Sequence, residues 1–225
     1  MPVSRKKNLS KLIQQYHELR ERVMKEALAA GGIDDPDKII AKALPQSRLF
    51  MMEIIPFMHR LWGHLPEGAW RSVLDVGPES MAGTALLASI HAANSFNRLK
   101  LDVHAIDINN KFETFKEVIA PNVTFHHGDI FGFEERKFDM VIASHVIEHV
   151  PDPVAFVRRL QELAKEYVVI ACPWREDPLV TPGHVNTIDK DFTMQVGARD
   201  LTIYTNYSWG KMREVCMFWL PGKAR

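Results

Sequence analysis

The chain has 225 residues, 46% apolar and 25% charged, with 28 Lys and Arg against 28 Asp and Glu. Those proportions suit a globular protein with a buried core, and the balanced charge supplies no global field for nucleic acid or an anionic membrane. No stretch reaches the roughly 18 uninterrupted apolar residues of a membrane span. Arg5-Lys6-Lys7 does not lead into the apolar run of a signal peptide, so the cytoplasm is the expected location.

In chain order, apolar residues recur at Leu9, Leu12, Ile13, Tyr16, Leu19, Val23 and Leu28 before Gly31-Gly32, which predicts an amphipathic helix. Asp34-Asp35-Pro36-Asp37 supplies capping acids and an early proline for a short helix ending at Leu44. A third helix is expected over about 46–62, apolar nearly all round and so clamped between other layers, with Pro56 kinking or splitting it. The segment 1–66 reads as a helical cap and 67–225 as a sheet domain.

From Trp70 the pattern alternates. Strands are expected at 72–76, 102–106, 123–126, 138–143 and 167–171, with helices at 84–93, 111–119 and 153–164. Such alternation builds a parallel sheet with helices on both faces. The segments 201–207 and 212–220, joined through Ser208-Trp209-Gly210-Lys211, read instead as an antiparallel hairpin. Cys172 and Cys216 lie in apolar strand-like runs and read as buried free thiols.

Chemistry gathers at the strand ends. Val73-Leu74-Asp75-Val76-Gly77 is an apolar run closed by an acid and a glycine, with a new helical pattern from Thr84. Strand, glycine turn and helix in that order hold a nucleotide-like ligand at the carboxyl edge of a parallel sheet. Asp107 ends the second strand, where a carboxylate can accept both hydrogen bonds of a ribose diol. Asp129 follows the third strand, beside Ile130, where an acceptor and an apolar neighbour suit the edge and face of an adenine. One strand-end acid is as often a helix N-cap. Three in succession point to a shared ligand.

Leu74-Asp75-Val76-Gly77, Asp107, Gly128-Asp129, and 138–144 running into Glu148-His149-Val150-Pro151-Asp152-Pro153 together resemble the class I S-adenosylmethionine-dependent methyltransferases over about residues 70–220. The last segment matches the E-H-x-x-D-P signature of one branch. The resemblance implies an α/β, Rossmann-like, seven-stranded and mostly parallel sheet with a terminal antiparallel hairpin, plus N-terminal helices over the acceptor side. It implies S-adenosyl-L-methionine as cofactor, with Asp75, Gly77, Glu79 and Gly83 toward the methionine end and Asp107 and Ile108 at the ribose. Asp129 and Ile130 would hold the adenine, and Ser144 would stand where the fourth strand meets the ligand. One departure stands out: the family's G-x-G-x-G turn is here Gly77-Pro78-Glu79-Ser80-Met81, with the next glycine at Gly83. Glu79 either faces the methionine ammonium group or crowds the site, so a cofactor-blind relative acting as a binding partner stays open.

His145, Glu148 and His149, spaced i, i+3, i+4, would share one face of a helical turn beside the reacting methyl group, and His184 falls in the loop after the fifth strand. Three readings stay open. Glu148 and His149 hold the loop through backbone hydrogen bonds; His149 or His184 is a general base for an acceptor hydroxyl; or all four residues bind a divalent metal. The last resembles the metal-dependent 2'-O-methyltransferases of small-RNA 3' ends, which carry an acid where this chain has His145, and the neutral charge argues against RNA. His145-x-x-Glu148-His149 also spells a zinc-peptidase pattern, but Pro151 and Pro153 interrupt the helix it needs. Trp174 either covers the acceptor or packs under its loop, and Arg175 pairs with Glu176 or Asp177 or meets an anionic acceptor. The expected acceptor is a small molecule or saccharide methylated on oxygen, without a required metal. Dimer contacts are conceivable at the third helix and the terminal hairpin edge.

Overall fold

The computed structural model describes residues 3–30, 32–110, 113, 116–134, 136–178, 180–206 and 213–223. Helix α1 (Val3–Ala30) joins the core near its end, through Met24 and Leu28, while Leu12, Ile13, Tyr16, Leu19 and Val23 stand in solvent. From Leu12 to Val23 the amphipathic stripe expected there is uncovered, and Leu28 at its end is buried.

The second helix differs from expectation. It does not end at Leu44: one turn, α2 (Pro36–Lys38), capped by the Asp35 carboxylate, passes through a π-helical stretch at Ile39–Ala43 straight into α3 (Leu44–Leu61). Nor does Pro56 split α3. Pro56 and Met52 both lie on the exposed face, so the Met52 carbonyl that proline leaves without its helical donor opens toward water. The opposite face buries Phe50, Met51, Ile54, Phe57 and Met58. Leu49 and Met52 remain exposed, so α3 is covered on one side rather than clamped all round.

The sheet strands are β1 (Trp70–Val76), β2 (Lys100–Asp107), β3 (Thr124–His127), β4 (Phe138–Ser144), β5 (Ala164–Pro173), β6 (Arg199–Asn206) and β7 (Arg213–Pro221). They form one seven-stranded sheet in the order β3-β2-β1-β4-β5-β7-β6, with β1 to β5 parallel and β7 antiparallel to both neighbours. This is the Rossmann-like arrangement expected, hairpin included. The order reverses between β1 and β4, which opens a crevice at the carboxyl edge there. The hairpin turn at 207–212 lies outside the described residues, as do 111, 112, 114 and 115 of the helix expected over 111–119, of which α5 (Lys116–Ile119) is described. Helix α7 (Lys190–Val196), capped by Asp189 and closed by left-handed Gly197, was not anticipated.

Alternation along the strands supplies two apolar layers. Val73, Val103, Met140 and Val169 face α3, α4 (Ala82–Ile90) and the end of α1; Leu74, Ile106, Val141 and Val168 face α6 (Pro153–Leu163) and Phe218. The helical segment before residue 66 therefore shares one core layer with the sheet. Cys172 and Cys216 are free and buried, facing each other across β5 and β7 with sulfurs 3.5 Å apart. Among the described residues no helix is long and apolar enough to cross a membrane.

Two contacts under α4 fix its start. Gly83 donates its backbone N–H to Ser47 Oγ at 2.9 Å, and a Cβ built there would stand 2.3 Å from the Ser47 carbonyl oxygen. Thr84 donates from Oγ1 to Asp75 Oδ2 at 2.5 Å, and burial pushes the Asp75 carboxyl from an ordinary 3.8 up to about 7, against the pull of Thr84 and with help from Asp107. Gly83→Ala should overpack the α3–α4 contact and destabilise the chain by about 1–3 kcal/mol, read as a lower urea midpoint at unchanged slope. Because the folded state holds the Asp75 proton more tightly than the unfolded chain, this group's stabilising contribution is complete below about pH 4 and lost as pH rises through about 7. Asp75→Asn, which cannot ionise, should gain on the wild type between those values; equal urea midpoint differences at both pH values would reject that assignment.

Candidate active site

A cavity of about 800 Å³ lies over the carboxyl ends of the parallel strands, roofed by Lys42, Gln46, Ser47, Phe50 and Met51 from the π-helical turn and α3. At one end Gly77 follows β1 with φ +69°, and a Cβ there would stand 2.7 Å from Val146 Cγ2. Both the backbone hand and the space demand glycine. The Pro78-Glu79 turn bends along the cavity wall with Glu79 at φ 53°, and the cavity stays open beside it. Asp107 Oδ1 accepts from the Asn109 N–H at 2.8 Å and Oδ2 from the Glu79 N–H at 3.3 Å. Burial nevertheless holds the Asp107 carboxyl above its ordinary pKa. Asp129 Oδ1 accepts from the Phe131 N–H at 3.0 Å, so the acid does cap a short turn, Ile130–Gly132, while also lining the cavity beside Ile108, Ile130 and Phe131.

Asp75, Gly77, Glu79, Asp107, Ile108, Asp129, Ile130 and Ser144 thus all line one cavity. Gly83 is not part of it; its glycine serves the α3 contact. The Ser144 Oγ is buried and has no hydrogen-bond partner among the described residues.

At the other end the chain leaves β4 through His145, which takes a left-handed φ of 57°. Only Ile147–His149 turn, and as a 3-10 helix, so His145, Glu148 and His149 do not share the face of one helix. The physical reason is the strap above them. Asn186 Nδ2 donates to the carbonyls of Ile147 and Val150, and the Val185 N–H donates to the Glu148 carbonyl at 2.8 Å, which ends the turn before Pro151. The His145 ring stacks on Phe50 with centroids 3.9 Å apart, and its Nδ1 lies 3.5 Å from Glu148 Oε1. His149 Nδ1 donates to the Gly183 carbonyl at 2.9 Å, since a carbonyl oxygen can only accept. His184 Nδ1 lies 2.6 Å from Glu176 Oε2, while Glu176 Oε1 accepts from Arg213 Nη1 at 2.6 Å and from Thr181 Oγ1 at 2.9 Å. The rings of His149 and His184 meet edge to face, 4.7 Å between centroids.

Several of these partners escape a reading of the sequence. Glu176 belongs to Arg213 and His184 rather than to Arg175, whose guanidinium sits 5.4 Å from the Trp174 ring centroid. Trp174 itself is buried in the core layer and does not reach the cavity. Glu53 on α3 accepts from Tyr204 Oη at 2.6 Å and from Asn206 Nδ2, and burial raises its pKa while the nearby His145 lowers it. A lone acid within the apolar run 49–58 was the available signal for Glu53; Phe50 left none.

Residues 74–172 match the family described as a methyltransferase domain. No curated protein sequence matches the chain significantly. Solved structures that share the fold include the N-methyltransferase NodS from Bradyrhizobium japonicum WM9 in complex with S-adenosyl-L-homocysteine, 15% identical with a TM-score of 0.56 over 89% of this chain and 97% of that one. The magnesium protoporphyrin IX methyltransferase of Synechocystis PCC 6803 with bound SAH is 15% identical, with a TM-score of 0.54 over 84% of this chain and 88% of that one. The CurJ carbon methyltransferase is 14% identical, with a TM-score of 0.56 over 95% of this chain and 70% of that one. Residues 74–172, which match the methyltransferase-domain family, thus lie on a Rossmann-like sheet whose carboxyl edge carries this cavity.

Proposed function

We propose that the chain is an S-adenosylmethionine-dependent methyltransferase that acts on a hydroxyl oxygen of a small molecule or saccharide. One observation carries the reading: a single cavity joins the strand-end acids Asp107 and Asp129 to the His145, Glu148, His149 and His184 cluster. The cofactor fits the first end. Asp107 keeps acceptor capacity for a ribose diol, Ile108, Ile130 and Phe131 offer apolar faces for an adenine, and Gly77 lets backbone approach closely. Glu79 and Asp75 line the wall where a methionine ammonium group would lie. Ser144 brings a buried hydroxyl that lacks a partner of its own.

When bound, the sulfonium supplies an electrophilic methyl group. The chain's own residues then position the acceptor in line with it, where proximity alone is worth several kcal/mol. His149 Nδ1 donates to the Gly183 carbonyl, which leaves a lone pair on the opposite nitrogen at the acceptor end, and His184 lines the same end beside Glu176. Similar structures include N- and carbon methyltransferases, so the choice of oxygen rests on these imidazoles and the Glu148 carboxylate. A cavity of about 800 Å³ fits a cofactor with a compact acceptor, and the zero net charge speaks against a nucleic acid.

Calorimetric titration with S-adenosylmethionine and S-adenosylhomocysteine should give micromolar dissociation constants. Asp107→Ala should weaken both by about 1–3 kcal/mol, roughly 5- to 150-fold. The absence of both heat and a thermal shift with millimolar ligand would overturn the reading.

A further inference from the structure

The geometry points to a site for a first-row divalent transition-metal ion at the acceptor end of the cavity, held by Glu148, His149 and His184. Each of the three offers a donor atom, and these atoms all lie within 4.8 Å of one another. An ion bonded at about 2.1 Å needs its donors no more than about 4.2 Å apart, so binding draws the three groups inward onto the ion. Three independent features favour an ion over a bare hydrogen-bond network. His149 gives its Nδ1 proton to the Gly183 carbonyl, which leaves a lone pair on Nε2 of the neutral ring. His184 Nδ1 stands 2.6 Å from Glu176 Oε2, out of hydrogen-bond alignment, so a carboxylate lies against one ring nitrogen and the other is left for an ion. Metal-binding imidazoles are held in this way, by a carbonyl or a carboxylate on the far nitrogen. The Glu148 side chain is 3% exposed, and its Oε2 is buried with no hydrogen-bond partner among the described residues.

The supporting layer is equally complete. Arg213 and Thr181 both bind Glu176, which fixes the carboxylate that orients His184, and Asn186 with Val185 fixes the backbone around Glu148. Two imidazoles and one carboxylate suit zinc, iron or cobalt better than magnesium or calcium. Three protein ligands leave at least one position open, and all three line the acceptor end of the cavity. His145 is not among them; its ring is occupied with Phe50.

The site stands on its own geometry, whereas its role rests on the methyltransferase reading above. In that role the ion takes the acceptor hydroxyl as a further ligand and acidifies it, and the proton passes to bulk water. The oxygen lone pair then forms the new C–O bond while the methyl–sulfur bond breaks, its electron pair going to sulfur. The acceptor class this favours is a hydroxyl with a second oxygen alongside, able to chelate.

Metal-stripped protein titrated calorimetrically with Zn²⁺ should bind one ion per chain, and Co²⁺ should develop visible absorption from nitrogen and oxygen ligation. Glu148→Gln and His184→Ala should abolish both signals, and Glu176→Gln should weaken Zn²⁺ about 10- to 100-fold. His64→Ala, exposed and outside the cluster, should change neither. If wild-type protein gives no Co²⁺ spectrum, or if Zn²⁺ affinity is the same in the cluster variants, the site is overturned whatever their folding. S-adenosylmethionine titrated in parallel separates the two ideas. Cofactor binding without metal binding removes the ion and leaves the methyltransferase, while metal binding without cofactor binding leaves the ion and removes its role.

Discussion

The close approach of α3 to α4 is the constraint on which the site depends. A glycine at position 83 lets the Ser47 carbonyl come within a distance that no side chain would allow, and the Ser47 hydroxyl accepts the Gly83 N–H. That contact sets the height of α3 above the sheet. At that height Phe50 lies flat on His145, and Gln46, Ser47 and Met51 roof the cavity. Without the contact that roof would lose its support, and the strand-end residues would lie more open to water.

Burial at this edge has an electrostatic signature. Asp75, Glu53 and Asp107 come from three different elements, and in each the largest influence is desolvation, which favours the neutral acid. Each is rescued in part by donors: Thr84 for Asp75, Tyr204 and Asn206 for Glu53, backbone N–H groups for Asp107. Carboxyls so placed gain strongly from any positive charge that enters, because little solvent screens them.

What the sequence disclosed follows the range of its causes. The parallel strands were legible because both faces are buried, so apolar residues run together at 73–76, 103–106 and 140–143. The acids at their ends were legible because strand end and cavity edge coincide in such a sheet. The π-helical passage from α2 into α3 was hidden, since nothing local stops a helix at Leu44 once Leu44 and Ser47 are buried by tertiary contacts. Helix α7 is seven residues long, too short for periodicity to show. The Glu176–Arg213–His184 grouping joins positions far apart in the chain, and no spacing rule reaches that far. The shared helical face expected for His145, Glu148 and His149 failed for a similar reason: Asn186, remote in sequence, decides how the backbone turns there.

The left-handed backbone at His145 filters what can stand at the mouth of β4. Side chains branched at Cβ are strained in that conformation before any chemistry is considered, whereas asparagine, aspartate and histidine tolerate it. The position therefore favours glycine or a compact polar group on conformational energy alone. Substitution at the mouth of β4 is confined to that short menu, so the shape of the cavity is more freely varied from the roof helix or from the strap carrying His184.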